Sequence, residues 1–176
     1  MTWTEPATWY ANLASFYAAA AAFITDPAGN VLLVKPTYRD HWVFPGGYVD
    51  EGEYPHDACA REVREELGVV AVVGDLLVVD WAPPAGQRPR AIISFTFDCQ
   101  MNCAVDRFEL PGQELEDAAF FSPEEAERHL PINVAPRVRS AINSRSSQSS
   151  IYLAGGIGNP PPRDGAPDYR TMPEAL

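Results

Sequence analysis

The segment 55–67 constrains this chain most, because it combines the pattern of a helix with an unusual crowding of acids. It begins with proline, contains good helix formers and is followed by Gly68, which predicts a helix with defined ends. On that helix Glu62 lies four residues before Glu66 and three before Glu65. The three carboxylates therefore share one face, where like charges destabilise a helix that carries no counter-charge.

Something must offset the repulsion among these three glutamates. A hard divalent cation does so most economically, because carboxylate oxygens are the ligands that Mg²⁺, Mn²⁺ and Ca²⁺ prefer. The alternative is a solvated charged face, which is the ordinary outcome for a short run of charges. The residues around the helix decide between these two interpretations.

The acidic helix belongs to a longer motif that starts at Gly47. Glu53 follows after five intervening residues and Arg61 after seven more, and the motif closes as Glu-Val-x-Glu-Glu-x-Gly-Val over residues 62–69. At every fixed position this segment resembles the signature of the Nudix hydrolase family. Nine specified positions rarely match by chance, so the solvated-face interpretation is disfavoured. The preceding run, Trp42–Gly47, extends the resemblance upstream.

The resemblance reaches more loosely over residues 16–154, and it implies an α/β (α+β) fold, a Nudix-type α/β/α sandwich around a mixed β-sheet. We predict a lead-in over residues 1–15 and a domain over residues 16–143. The remaining 144–176 form a Ser/Gly/Pro-rich tail that is partly docked or loosely held, in which Ile151–Leu153 is the segment best suited to docking.

Local patterns agree with a mixed fold. The alanines of Phe16–Thr25 favour a helix by propensity. The turn cluster at 26–30 and the β-rich run Val31–Lys35 favour a hairpin of two strands instead, with the small alanines leaving room beneath a packed helix. Further strands are predicted at Trp42–Phe44, before a sharp turn over 45–47, and at Val69–Trp81, Arg90–Cys99 and Leu115–Phe121; helices are predicted at 123–129 and 136–143.

Composition excludes several classes of protein. A length of 176 residues suits one domain, and a net charge of −11 disfavours long nucleic acids, which need a basic surface. The three cysteines, Cys59, Cys99 and Cys103, show neither disulfide nor zinc spacing. The apolar run Ala18–Ile24 is too short to span a bilayer. We expect a cytoplasmic protein that binds a small-molecule nucleotide and no membrane. Its oligomeric state is not determined by the sequence, and a homodimer is one possibility.

The family resemblance also implies the chemistry, which is attack of water on phosphorus in a diphosphate with Mg²⁺ or Mn²⁺ as cofactor. It assigns the metal to Glu62, Glu65, Glu66 and the backbone carbonyl of Gly46. It implies a structural pair between Glu53 and Arg61 that fixes the loop on the helix. The catalytic residues are then the three helix glutamates, with Glu62 the first choice as general base.

A fourth acidic ligand is harder to place. Relatives often carry an acid just before the aromatic of the last strand, but this chain has Ala119 before Phe120. Glu114 and Glu116, around the start of that strand, are the candidates, and Glu116 is included in the expected ligand set.

The sequence constrains the substrate less than it constrains the reaction. Tyr38, Trp42 and Trp81 offer rings for a base and Arg39 a charge for a phosphate, although core packing is the ordinary role of such aromatics. Pro84, fifteen residues after the signature, occurs in relatives that hydrolyse ADP-ribose, which favours a nucleoside diphosphate linked to a second moiety. The alternatives are a nucleoside triphosphate pyrophosphohydrolase, a non-catalytic nucleotide-binding module and a prenyl diphosphate isomerase.

Overall fold

The computed structural model describes residues 5–101 and 108–158. Its elements in chain order are α1 (Pro6–Ala11), β1 (Tyr17–Ile24), β2 (Val31–Pro36), β3 (Gly46–Tyr48), α2 (Pro55–Leu67), β4 (Ala71–Ala82), β5 (Ile92–Met101), β6 (Leu115–Phe121), α3 (Pro123–His129), α4 (Pro136–Ser147), β7 (Ile151–Ala154) and β8 (Ile157–Gly158). Residues 1–4, Cys103 and the predicted tail beyond 158 lie outside the described residues.

The strands form one six-stranded sheet in the order β3-β1-β5-β4-β7-β8 and a two-stranded sheet of β2 and β6. In the larger sheet β1 runs parallel to β5 and β4 parallel to β7, while the pairs β1–β3, β4–β5 and β7–β8 are antiparallel. The mixed sheet is the one that the family resemblance implied.

Helices cover both faces of the large sheet, which confirms the predicted sandwich. Along β1, Ala20, Ala22 and Ile24 are buried in a cluster that contains the apolar side of α2. Phe23, which points to the opposite face, is buried in a second cluster with side chains of α3 and α4. The two-residue period of a strand thus divides β1 between two cores, and its small alanines admit α2 closely.

Helix α2 has the bounds that its sequence predicts. Proline occupies its first turn, and Gly68 ends it with a φ of 68°, a left-handed conformation that glycine adopts without steric cost. The N–H of Gly68 donates to the carbonyl of Arg64 at 3.0 Å. Ala58, Cys59, Val63 and Leu67 are buried beneath the helix, so the glutamates occupy its other sides.

The predicted β1–β2 hairpin is wrong, although its turn is present. Asp26 Oδ1 accepts hydrogen bonds from the N–H groups of Ala28 and Asn30, but only an isolated bridge between Thr25 and Val31 joins the two strands. Strand β2 pairs with β6 instead. Its residues are buried alternately in the two cores, so it lies between layers rather than at the edge of the large sheet.

The strand predicted at Trp42–Phe44 is also wrong, because only Val43 forms a bridge there, to Val34. The strand begins instead at Gly46, within the predicted turn, where β3 pairs with β1. Gly46 has a φ of 143°, and a Cβ at this position would collide with the carbonyl oxygen of Ala20. Glycine is therefore required for β3 to approach β1.

The chain remains folded beyond residue 143. Helix α4 continues to Ser147, and β7, which contains the apolar run Ile151–Leu153 singled out for docking, pairs in parallel with β4. At the other end, α1 lies within the predicted lead-in. None of the helices in the described ranges is long and apolar enough to cross a membrane.

Candidate active site

Arg61 lies at the centre of the acidic side of α2. Its Nε and Nη2 donate to the two carboxylate oxygens of Glu53 at 3.0 and 2.9 Å. Its Nη1 donates to Glu62 at 2.8 Å and to Glu65 at 3.0 Å, and Nη2 also reaches the carbonyl of Tyr48 at 3.0 Å. One guanidinium thus ties the loop before α2, through Glu53 and Tyr48, to the helix itself.

The two glycines of β3 are in contact with the other glutamates. The N–H of Gly46 donates to Glu66 Oε2 at 2.8 Å. A Cβ on Gly47 would collide with the carboxylate of Glu62. The pair Gly46-Gly47 therefore lets α2 place two carboxylates directly against the backbone of β3, which explains why glycines precede the acidic helix at this spacing.

Burial makes this cluster electrostatically unusual. It raises the pKa of Glu66 to about 8, and the charges of Glu62, Glu114 and Glu65 add to the rise. Burial also raises the pKa of Glu62, despite the hydrogen bond from Arg61. The hydrogen bonds from Arg61 lower the pKa of Glu53. Arg61 thus stabilises the charged form of Glu53, whereas the charges of Glu62 and Glu66, nearer to β3, are not fully compensated.

The donor set suits a divalent cation, because it consists of carboxylate oxygens with excess negative charge beside a glycine backbone. Across the residues that the structure describes, no three His, Cys, Asp or Glu side chains already stand in the arrangement of a metal site. Arg61 holds Glu62 and Glu65 as ion-pair partners. A cation bound by these two carboxylates would compete with Arg61 for them.

The two candidates for a further acid lie in different surroundings. Glu114 is close enough to Glu66 for its charge to raise the pKa of that residue. Glu116 forms an ion pair with Lys35 at 3.2 Å and is half exposed. Ala119 pairs with Leu33 across β2 and β6. Of the two acids, Glu114 is the one that the fold brings to the cluster on α2.

A cavity of about 220 Å³ adjoins this cluster. Gly46, Gly47 and Tyr48 of β3 form one side of it. The two glycines therefore separate the cavity from the glutamate cluster, which they also contact. Its remaining lining is apolar side chains from β1, β5 and the segments before β3 and α4, together with the polar side chains of Arg39, Ser94 and Arg137.

Of the four predicted substrate-binding residues, only Arg39 lines this cavity. Tyr38 is 71% exposed and lies under the guanidinium of Arg39, at 5.5 Å from its ring centre. The ring of Trp42 packs edge-on against Phe121, with the ring centres 4.8 Å apart. The ring of Trp81 packs against Phe16 at 5.2 Å. Packing against neighbouring aromatics, the ordinary role of such rings, is what the structure shows for both tryptophans.

Sequence reasoning missed a second polar pair at this cavity. Arg137 of α4 lines it and forms an ion pair with Asp80 of β4 at 2.8 Å. Asp80 is 1% exposed, and Ser94 beside it on β5 is also buried. The sequence did contain one signal for this pair. Asp80 lies within the apolar run 76–81 of a predicted strand, and an acid buried in a strand needs a partner.

Replacing Arg61 with alanine is expected to lower the free energy of unfolding by about 1–3 kcal/mol, because Glu53, Glu62 and Glu65 lose their shared counter-charge at a partly buried site. Arg64→Ala, on the exposed side of the same helix, is the matched control and is expected to change it by less than about 0.5 kcal/mol. Urea unfolding measures both. Normal stability with complete loss of turnover in Arg61→Ala would instead indicate a direct contact with substrate.

Comparison with known families agrees with this geometry. A family model described as the NUDIX domain matches residues 16–142, which are most of the chain. The protein therefore belongs to the NUDIX family, as the signature over residues 47–69 indicated.

Individual relatives match over shorter segments. Diphosphoinositol polyphosphate phosphohydrolase 2 of Rattus norvegicus is 46% identical over 61 residues, 34% of this chain and 34% of that protein. The 8-oxo-dGTP diphosphatase of Haemophilus influenzae is 33% identical over 99 residues, 54% of this chain and 70% of that protein. The match thus spans about a third of the rat protein's length. A solved UDP-X diphosphatase aligns with a TM-score of 0.65 at 23% identity, over 80% of this chain and 68% of that chain, which shows a shared fold.

Proposed function

We propose that this protein is a metal-dependent pyrophosphohydrolase that cleaves a nucleoside diphosphate linked to a second moiety, by attack of water on phosphorus. The observation that carries the proposal is the cluster of Glu62, Glu65 and Glu66, held against Gly46-Gly47 beside a cavity. The names of the relatives, a phosphohydrolase and a diphosphatase, support the reaction class.

The proposed roles follow from the positions of the side chains. Glu62, Glu65, Glu66 and the backbone of Gly46 would hold a divalent cation. When bound, that cation supplies neutralisation of the diphosphate charge and activation of water. Arg61 positions the loop through Glu53. Glu62 is proposed as the general base, because it lies against the glycine turn and its pKa is raised, which makes its carboxylate a better proton acceptor.

The second moiety of the substrate is proposed as a class rather than as one compound. The sequence favoured ADP-ribose through Pro84, with Trp81 nearby as a ring that could bind the base. The ring of Trp81 packs on Phe16, so Pro84 remains the one feature that supports this preference. The names of the relatives specify different substrates. We therefore propose nucleoside diphosphate derivatives as a group, with ADP-ribose among them and nucleoside triphosphates as the alternative.

A substrate panel tests the proposal. Purified protein with Mg²⁺ or Mn²⁺ is given ADP-ribose, nucleotide sugars, dinucleotides and nucleoside triphosphates. Products are detected as phosphate released by alkaline phosphatase or by pyrophosphatase. At least one diphosphate-linked nucleotide is expected to reach a kcat/KM of about 10⁴ M⁻¹s⁻¹ or more. Nucleotide binding without turnover of any compound would favour the non-catalytic module instead.

Glu114 and Glu116 are distinguished by a paired substitution. Glu114→Gln is expected to lower kcat by about tenfold or more, because its charge acts on Glu66, one of the proposed metal ligands. Glu116→Gln is expected to leave kcat within about twofold, since its ion pair with Lys35 is half exposed and of little energetic value. Steady-state kinetics on one substrate measure both. The reverse pattern would assign the further metal ligand to Glu116.

A further inference from the structure

The ion pair between Asp80 and Arg137 is rigidly anchored in the wall of the cavity. Arg137 donates from Nε to Asp80 Oδ2 at 2.9 Å, and its Nη2 lies 2.8 Å from the same oxygen as an ion-pair contact. The N–H of Gly156 donates to the other oxygen, Oδ1, at 3.3 Å. Asp80 is fixed in β4 opposite Ser94. The orientation of the guanidinium is therefore set by β4, α4 and the turn after β7.

The guanidinium retains donors that the protein does not use. It carries five N–H groups, of which the one on Nε donates to Asp80, while Nη2 pairs with the same carboxylate. The two N–H groups of Nη1 have no hydrogen-bond acceptor among the described residues, and the side chain of Arg137 is 11% exposed. Since Arg137 lines the cavity, a ligand there can supply the missing acceptor. Donors in a cavity wall that lack a protein acceptor favour a ligand that provides one.

The rest of the cavity suits one flat ring system. The segment Ala19–Ala21, Val43, Phe44 and Ile92 give it apolar walls. Its volume of about 220 Å³ is below the range of about 300–1,000 Å³ for pockets that enclose drug-sized ligands. A nucleotide base is small enough for such a cavity, and from there a sugar and a diphosphate would reach past Gly46-Gly47 toward the glutamate cluster.

The charge of the pair decides which acceptor is favoured. Asp80 neutralises Arg137, so this part of the wall, unlike Arg39, offers donors without net positive charge and suits a neutral carbonyl oxygen better than a phosphate. Guanine and uracil present ring carbonyls, whereas adenine presents an exocyclic amino group, itself a donor. We propose that Arg137, positioned by Asp80, makes this cavity select guanine and uracil nucleotides over adenine nucleotides. This specificity rests on the proposed function and names the substrate class of the same site.

The test compares substrates that differ only in the base, namely GDP-glucose, UDP-glucose and ADP-glucose. The wild type is expected to show a kcat/KM for the first two that exceeds that for ADP-glucose by about tenfold or more. In Asp80→Asn/Arg137→Gln, which removes both charges together, this ratio is expected to fall to about twofold or less. Arg137→Lys keeps the charge opposite Asp80 but lacks the planar fork, and it is expected to lose the ratio in the same way. Arg139→Lys, at an exposed ion pair on the same helix, is the matched control.

Binding separates this proposal from the proposed function. Calorimetry with GMP and AMP in EDTA needs neither metal nor turnover, and GMP is expected to bind about tenfold more tightly. Two outcomes overturn the assignment of Arg137 while the hydrolase proposal stands. One is hydrolysis of all three sugar nucleotides at equal kcat/KM. The other is a preference for GDP-glucose and UDP-glucose that survives in both variants. Selective GMP binding together with no turnover of any compound in the substrate panel overturns the hydrolase proposal and supports the base-selecting site. Equal binding of GMP and AMP, or no binding of either at millimolar concentration, overturns the base-selecting site.

Discussion

Replacing Glu66 with glutamine is expected to lower kcat by about a hundredfold or more while the fold persists. Glu66 accepts the hydrogen bond from Gly46 and is the most buried carboxylate of the cluster. Glutamine can accept the same hydrogen bond but carries no charge for a cation. Steady-state kinetics at saturating Mg²⁺ measure the loss.

The same substitution is expected to raise the melting temperature in EDTA. The pKa of Glu66 in the folded protein, about 8, lies above its ordinary value of 4.5. The folded state therefore binds more protons than the unfolded state between these two values, so its stability falls as the pH rises from about 4.5 to about 8. Glu66→Gln removes this penalty, and its stabilising effect should be larger at pH 8.5 than at pH 5.

Glu124→Gln, the same chemical change on an exposed residue in the first turn of α3, is the control and should leave kcat unaffected. A large fall in the melting temperature of metal-free Glu66→Gln would show that the carboxylate is needed for folding. Retained activity would remove Glu66 from the metal-binding set.

Removal of divalent cations is expected to abolish turnover, with a loss of several orders of magnitude. The reason is the charge of the cluster on α2, which has one arginine for three glutamates. That arginine is also bonded to Glu53. Dialysis against EDTA followed by re-addition of Mg²⁺ or Mn²⁺ should abolish and then restore activity. Turnover that survives exhaustive EDTA treatment would contradict the prediction.

A melting experiment separates metal binding from catalysis. Mg²⁺ is expected to raise the melting temperature of the wild type, because a ligand that binds the folded state stabilises it. The increase should be smaller in Glu66→Gln, which has lost one anionic group of the cluster, and unchanged in Glu124→Gln. Equal increases in all three proteins would place the cation elsewhere.

The sequence by itself determined the parts that depend on neighbouring residues. The bounds of α2 follow from proline in its first turn and Gly68 at its end, and the shared face of Glu62, Glu65 and Glu66 follows from the helical period. The contact between Arg61 and Glu53 was implied by the family signature. Strand β6 and helix α3 also lie where their local patterns predicted them.

Only the tertiary structure decided which segments meet. The residue pattern of a strand does not show which strand it pairs with. The run Val31–Lys35, which forms β2, was therefore expected to pair with β1, although it pairs with β6. The strand at Gly46 has no local signature, because close approach to β1 rather than propensity creates it. Asp80 and Arg137 are 57 residues apart. Periodicity and end signals act within a few residues, whereas pairing and burial depend on what the whole chain brings together.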